Sequence, residues 1–471
     1  MHQFMNVVNA RICFVFAVVV LAVVCIASVV LDPRFTSLPK PTSDGPVYEQ
    51  MAYQLSLGRG FWIDWHDPQW RQPYEQSSER DDFRVYLDAP AQSMPMTGRP
   101  PIFPALIAIV YRFVDRGPTA FAFVRVFSAL CLALGCAIAV ANAATVMVEL
   151  EMCGRKFSPW SVGLGCASAI LLAASNRTLL SYASDFLTEP LALLLTQLLV
   201  AALLAIVHSR DTTVPQPLAW WLVVAMGVVI AGMILSRSLF VLWLPGLWWL
   251  LVVLRTSHRL RDATWIMVVA LLCISPWWIR NCLVLDRFMP LGTQGPITLL
   301  GGYCDEALTG GGDWQHAPEQ RLRQVMRENE AFIALPTDVA RELMLADESK
   351  RLVRAWVADH WTELPRLFVA RVVTHWNPYT GKSLVWRLLI LAGAVCLVVK
   401  RRPEAWVLVG LPVMNTVLVA LLYTTGGRFL VPLYGMLFTL SAIGVASLLE
   451  LTMAQGWHTQ SLRWVGNCLR I

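Results

Sequence analysis

"RPPIFPALIAIVYRFVD", Arg99 to Asp115, decides how this chain is threaded. Its apolar core runs only from Pro101 to Val114. A helix that crosses a bilayer needs roughly 20 mostly apolar residues. The spacing therefore predicts an interfacial or re-entrant helix on the membrane surface. If this segment crossed, every later loop would change sides. The clusters Arg255, Arg259, Arg261 and Lys400-Arg401-Arg402 would then lie outside, against the bias of short cytoplasmic loops toward Lys and Arg.

The 471 residues around this segment are 56% hydrophobic and 15% charged, outside the range of ordinary soluble domains. Apolar runs recur at 12–31, 119–148, 160–175, 187–208, 218–236, 238–254, 263–280, 384–399, 405–423 and 429–449. Tryptophans at run ends, such as Trp220, Trp221, Trp277 and Trp278, suit an interfacial belt. The expected fold is an all-α polytopic membrane protein with about ten transmembrane helices and two extracytoplasmic regions carrying juxtamembrane helices. The first run is too long for a signal-peptide core and lacks a small-x-small cleavage site, so it reads as an uncleaved anchor. Arg11 and the basic loops place both termini in the cytoplasm. Residues 1–280 form the N-terminal module with a first outer loop at 32–118. Residues 281–383 form an extracytoplasmic helical cap, with patterns at Glu319–Ala331 and Val339–Trp361, and 384–471 return to the membrane. The net charge of +6 comes from the short loops. Membrane lipids are the expected surroundings, and no nucleic-acid partner is expected. The eleven cysteines show no metal-finger spacing; Cys282 and Cys304 share one loop as either a disulfide or two free thiols.

With this threading, Asp44, Asp185, Glu189, Arg237, Arg280 and Arg428 all fall on or near the outer rim. Ionisable residues gathered on one rim of an oily protein mark a functional site. Asp44 stands before a short amphipathic pattern, Gly45 to Leu57, and its Asp-Gly-Pro context suits an N-cap. It equally suits a base at the membrane surface, because a helix N-terminus favours the ionised carboxylate. Arg237, Arg428 and Arg280, in that order, are candidates for a phosphate clamp, each also readable as a headgroup-contacting arginine. Asp185 and Glu189 read as one helical turn apart, able to pair with these arginines, bind a sugar or hold a divalent cation. The outer histidines His66, His316, His360 and His375 show no metal spacing and read as surface residues.

The order of these signatures resembles the polytopic C-type glycosyltransferases, including protein O-mannosyltransferases and lipid A aminoarabinose transferases. The matching residues are Asp44, Tyr48, Ala52, Leu55, Gly58, Gly60 and Phe61, then Arg99 to Pro104, Asp185, "SPWWIRN" from Ser275, and "GGRFLVPLYGML" from Gly426. The resemblance implies a polyprenyl-phosphate-linked sugar as donor, an active site outside the cytoplasmic membrane, and a lipid, glycan or protein acceptor. It makes Asp44 the catalytic base and Tyr48 a substrate contact. Many relatives carry Asp-Glu at the first position where this chain has Asp44-Gly45, which leaves a divalent cation cofactor open.

The chemistry fits one carboxylate among several arginines. A glycosidase uses two carboxylates, one of them to protonate a poor leaving group. A phosphate already leaves well, so one base for the acceptor and cations aimed at the phosphate suffice. Direct attack inverts the anomeric centre. A lipid or solute transporter is the alternative class, although no internal repeat is visible and the polar residues sit at one rim. A polymerase or ligase of surface polysaccharide is a second alternative, and it would not require the early Asp-containing helix.

Overall fold

The structure is a computed structural model, and it describes residues 2–41, 43–87, 93–152, 154–208, 217–255, 258–377 and 381–468. Among the described residues the secondary structure is helical apart from two short antiparallel strand pairs, Trp62–Asp64 with Ser93–Pro95 and Glu151–Met152 with Arg155–Lys156. Among the described residues six helices are long and apolar enough to cross a membrane: Arg11–Val30, Pro118–Glu149, Glu189–His208, Arg259–Leu285, Glu404–Leu422 and Arg428–Met453. A seventh candidate, Pro159–Ser175 with Arg177–Ala183, is bent by 60°. Three of the expected spans are shorter apolar helices: Trp220–Ser236, Ser238–Leu254 and Leu384–Val399.

The deciding segment forms the helix Ile102–Phe113. At 1.5 Å per residue its twelve residues reach about 18 Å, well short of a hydrocarbon core of about 30 Å. It lies against the helix Gly45–Ser56. A buried polar knot fastens the two together. The Glu49 carboxylate, fully buried, accepts from Trp70 Nε1 (2.5 Å), Tyr74 Oη (3.0 Å) and Tyr111 Oη (3.1 Å) and pairs with Arg116 Nε (2.5 Å). A buried charge is tolerable only when so completely satisfied. The knot ties the helices of the 32–118 region to one another.

In lipid the apolar effect does not drive helices together, so close packing by small residues must. The helix Pro118–Glu149 buries Ala129, Ala133, Ala137, Val140, Ala143 and Ala144 in the main core, and the first helix packs along it. Ion pairs sit at the helix ends instead. Arg255 pairs with Asp262 (3.0 Å) and Arg402 with Glu404 (2.7 Å) at one end, while Asp44, Glu189, Arg237 and Arg428 meet at the other.

The 281–383 region holds the helices Gln294–Gly302, Ala317–Arg327, Asp338–Asp359 and Leu364–Trp376 among others. Ile297, Leu300, Leu322, Met326 and Leu345 make a small core of its own. Cys282 and Cys304 are both free thiols. Cys304 instead caps the helix Asp305–Thr309, its sulfur accepting from Ala307 N (3.4 Å).

Candidate functional site

Asp44 occupies the N-cap position of Gly45–Ser56, yet its side chain makes no capping hydrogen bond. Ser43 Oγ accepts from Gly45 N (3.0 Å) in its place. The Asp44 carboxylate is turned the other way and has a guanidinium on each oxygen. Oδ1 pairs with Arg99 Nη2 at 2.6 Å and Oδ2 with Arg428 Nη1 at 2.9 Å. Arg428 then bridges to the fully buried Glu189 through Nε, and Glu189 Oε1 also meets Arg237 Nη1 at 2.7 Å. The result is a continuous chain, Arg99–Asp44–Arg428–Glu189–Arg237, of three cations and two carboxylates with one net positive charge. Tyr48 stands beside it, with the Arg99 guanidinium 5.9 Å from its ring centroid.

Burial alone pushes the Asp44 carboxyl up, but Arg99 and Arg428 outweigh it and hold the group at about 2, against an ordinary 3.8. The carboxylate stays ionised throughout the physiological range.

Local sequence explains how the partners reach this point. Arg428 follows Gly426-Gly427, and Gly427 has φ +82° with the His375 carbonyl oxygen 2.9 Å from where a Cβ would stand. Only glycine takes that turn without strain. The 281–383 region holds the turn in place. Asp313 Oδ1 accepts from Gly426 N (2.8 Å), and Trp314 N donates to Thr424 O (2.8 Å). With its amide oxygen facing the guanidinium, Gln294 accepts from Arg99 Nη1 at 2.9 Å, so the 281–383 region touches the cluster directly. Arg237 is delivered by the short break between Trp220–Ser236 and the next helical segment, with Phe429 under its guanidinium at 5.4 Å.

Asp185 and Glu189 do not share a helical face. The helix begins at Glu189, ahead of Pro190, and 184–188 is a turn. Asp185, also buried, faces the back of the Asp44 turn. Its Oδ1 accepts from Lys40 N (3.1 Å) and Phe186 N (2.8 Å), and Oδ2 has no hydrogen-bond partner among the described residues. The buried Arg125 ties the same strands of chain together through the carbonyls of Ser184 (2.8 Å), Ser37 (2.8 Å) and Leu38 (3.2 Å). Gly45 lies in this tight corner, where a Cβ would come 2.7 Å from Pro39 Cβ and 3.1 Å from Asp185 Oδ1. A glutamate at 45 would not fit there without moving Pro39.

Arg280 stands apart from the cluster. The helix Arg259–Leu285 runs past it, and its guanidinium donates to Met96 O (2.6 Å) and Phe61 O (2.9 Å), clasping the end of the Trp62–Asp64/Ser93–Pro95 strand pair. Its neighbour Asn281 and the Trp277 ring complete the contact. His375 is not a surface residue but is 1% exposed. The sequence reading passed over Arg99 and Gln294 as site residues. For Arg99 a signal was available, a cation directly ahead of an interfacial helix on the charged rim.

Asp44 has an arginine on each oxygen, whereas Glu189 takes both of its arginines on Oε1 and its Oε2 has no hydrogen-bond partner among the described residues. Among the described residues, the His/Cys/Asp/Glu trio close enough to share a cation is Glu149, His208 and Glu404, at the opposite helix ends. Arg402 Nη2 already contacts both of those carboxylates, at 3.4 and 2.7 Å.

No family model matches the chain, and neither the curated proteins nor the solved structures contain a detectable relative.

Proposed function

We propose that this protein is an inverting glycosyltransferase of the cytoplasmic membrane. It moves a sugar from a polyprenyl-phosphate carrier to an acceptor on the extracytoplasmic face. The observation that carries the reading is the carboxylate with an arginine on each oxygen, Asp44 between Arg99 and Arg428. In this reading the six long helices, the bent pair and the three shorter helices make ten crossings, both termini are cytoplasmic, and the arginine rim faces out.

The charge balance suits the donor. A sugar phosphodiester carries one negative charge, matching the one net positive charge of the cluster. In the transfer the acceptor oxygen bonds to the anomeric carbon while the bond to the phosphate oxygen breaks, and the electron pair leaves with the phosphate. A second negative charge develops there, where Arg428, Arg237 and Arg99 stabilise it most in the transition state. The acceptor's proton goes to Asp44.

A carboxylate held at about 2 is a weak base. Phosphate arriving at the cluster competes with Asp44 for Arg99 and Arg428. As their hold loosens, the Asp44 carboxyl rises toward its ordinary value and becomes a better proton acceptor. The resting ion pairs thus keep the base idle until donor is bound.

The test is a transfer assay with purified protein, radiolabelled polyprenyl-phosphate sugars and membranes as acceptor source, with and without a chelator. Product with the opposite anomeric configuration to the donor supports the reading. Retained configuration, or solute movement without transfer, contradicts it.

A further inference from the structure

The helix Leu364–Trp376 ends against the Arg428–Leu433 segment, and beyond it the helix Gly381–Val399 packs along Tyr434–Cys468. Arg387, Trp386 and His375 meet in the corner these elements make. The Arg387 guanidinium lies 4.5 Å from the Trp386 ring centroid and 5.3 Å from that of Trp376. Its Nε and Nη2 both donate to the Trp376 carbonyl oxygen, at 3.0 and 2.6 Å. His375 precedes that carbonyl and is buried; burial first, and the Arg387 charge second, lower its pKa, so the two side chains are within electrostatic reach. The Trp386 ring stands edge-on to Tyr434 at 5.3 Å.

Four polar atoms in this corner are left over. Arg387 Nη1, Trp386 Nε1 and both ring nitrogens of His375 are buried without a hydrogen-bond partner. Buried polar atoms are ordinarily satisfied, so such a set marks the place of a bound group. Arginine and tryptophan side chains only donate, and a neutral imidazole has one N–H to give. Among the described residues no carboxylate pairs with Arg387 or His375. The Trp376 carbonyl, at a helix C-terminus, supplies only part of a helix-end charge of roughly one half. A guanidinium with a donor to spare and no counter-ion calls for an anion. A phosphate has oxygens enough to take N–H groups from three side chains at once.

The position suits such a ligand. Arg387 and Trp386 are half-buried at the start of the apolar run 384–399, the depth of lipid headgroups, and Leu384, Val385 and Leu388 on the same turns are exposed. The corner backs onto the Asp44 cluster without joining it. The His375 carbonyl oxygen stands 2.9 Å from where a Gly427 Cβ would be, yet Arg428 is paired with Asp44 and Glu189, and Arg387 shares neither carboxylate.

We infer that this corner is a phosphate site distinct from the Asp44 cluster, with Arg387 as its cation and Trp386 and His375 as neutral donors. The ligand is a phosphate group, either the phosphodiester of a phospholipid in the leaflet on the Asp44 side or free phosphate from solution. The assignment goes beyond the transferase reading and does not depend on it.

The experiment is native mass spectrometry of the full-length protein in detergent, titrated with dioleoyl phosphatidylglycerol, dioleoylglycerol or inorganic phosphate. Wild type should bind one phosphatidylglycerol at least tenfold more tightly than dioleoylglycerol. Arg387→Gln should weaken that first binding step at least fivefold, and Arg428→Gln less than twofold. Hydrogen–deuterium exchange on the wild type, with and without the lipid, should slow at 371–377 and 384–390, which decides the matter even where the variants do not fold. Lipid that millimolar phosphate fails to displace supports the site and assigns the phospholipid as its ligand. Displacement by millimolar phosphate, with the same local slowing of exchange, supports the site and assigns the soluble anion. Equal binding of dioleoylglycerol overturns the inference and leaves an apolar contact only. An equal loss in Arg428→Gln overturns it by placing the phosphate on the Asp44 cluster. Binding of neither phosphate source, or protection confined to other segments, also overturns it.

Discussion

Replacing Arg428 separates charge from geometry at the centre of the cluster. Its guanidinium spans Asp44 and Glu189 at once, with Nη1 on one carboxylate and Nε on the other. A lysine keeps the charge but is a single point donor and cannot hold both groups. In Arg428→Lys one of the two charge-assisted contacts is lost, worth about 1.5–3 kcal/mol. If those contacts act on phosphate in the transition state, kcat/KM falls about 10- to 100-fold, at 1.36 kcal/mol per factor of ten. Arg428→Gln removes the charge as well. Breaking a buried pair costs about 3–5 kcal/mol when a partner is stranded. Here Glu189 keeps Arg237 and Asp44 keeps Arg99, so the stability loss should be nearer ~2 kcal/mol and transfer should be abolished. The assay is steady-state transfer on detergent-purified protein, with kcat and KM separated and thermal unfolding followed in parallel. The lysine variant should unfold within a few degrees of wild type while losing rate. Wild-type kcat/KM in Arg428→Lys would refute the role given to the bridging guanidinium.

Three further expectations concern the surroundings of the cluster. Gly45→Ala places a Cβ 2.7 Å from Pro39 Cβ, so overpacking should lower stability by about 1–3 kcal/mol, and Gly45→Glu should be worse; unchanged unfolding temperatures would contradict the tight corner. Gly427→Ala meets both the positive φ and the His375 carbonyl, and it should lower transfer more than stability by displacing Arg428, read as a fall in kcat/KM in folded protein. Burial lowers His375 to about 4 from an ordinary 6.5, with the Arg387 charge adding to it. Its neutral form is therefore favoured on folding, the associated stability is complete above pH 6.5, and it is lost as pH falls from there toward 4. His375→Leu should flatten that part of the pH–unfolding curve, and an unchanged slope would refute the assignment.

The shortness of the helix Ile102–Phe113 was legible in the sequence, because the twelve residues between Pro101 and Val114 are too few to reach across a bilayer. The sequence also placed Asp44, Glu189, Arg237 and Arg428 on one rim, since each lies at the end of an apolar run. What it could not give is the direction a side chain takes at such an end. Asp-Gly-Pro before a helix reads as a cap, but two guanidinium groups outcompete a backbone N–H for the Asp44 carboxylate, and Ser43 fills the vacated role. The Asp185–Glu189 spacing suggests one helical face, yet the chain turns between them and sends the two carboxylates to opposite sides of the Asp44 turn. Arg280 reads like its fellow arginines and differs because the carbonyls of Phe61 and Met96, beside the paired strands, take its guanidinium. Arg99 and Gln294 depend on contacts between segments nearly 200 residues apart (a relation that no local pattern carries).

The measurement that bears most directly on Asp44 as the base compares Asp44→Asn with wild type and Asp44→Glu in the sugar-transfer assay, each checked for intact folding. Asparagine preserves the shape of the side chain but cannot take the acceptor's proton. Asp44→Asn should bind the lipid phosphate donor yet transfer nothing above background, while Asp44→Glu should retain measurable transfer. Transfer by a folded Asp44→Asn protein at the wild-type rate would contradict that role, leaving Asp44 as a structural counter-ion for Arg99 and Arg428.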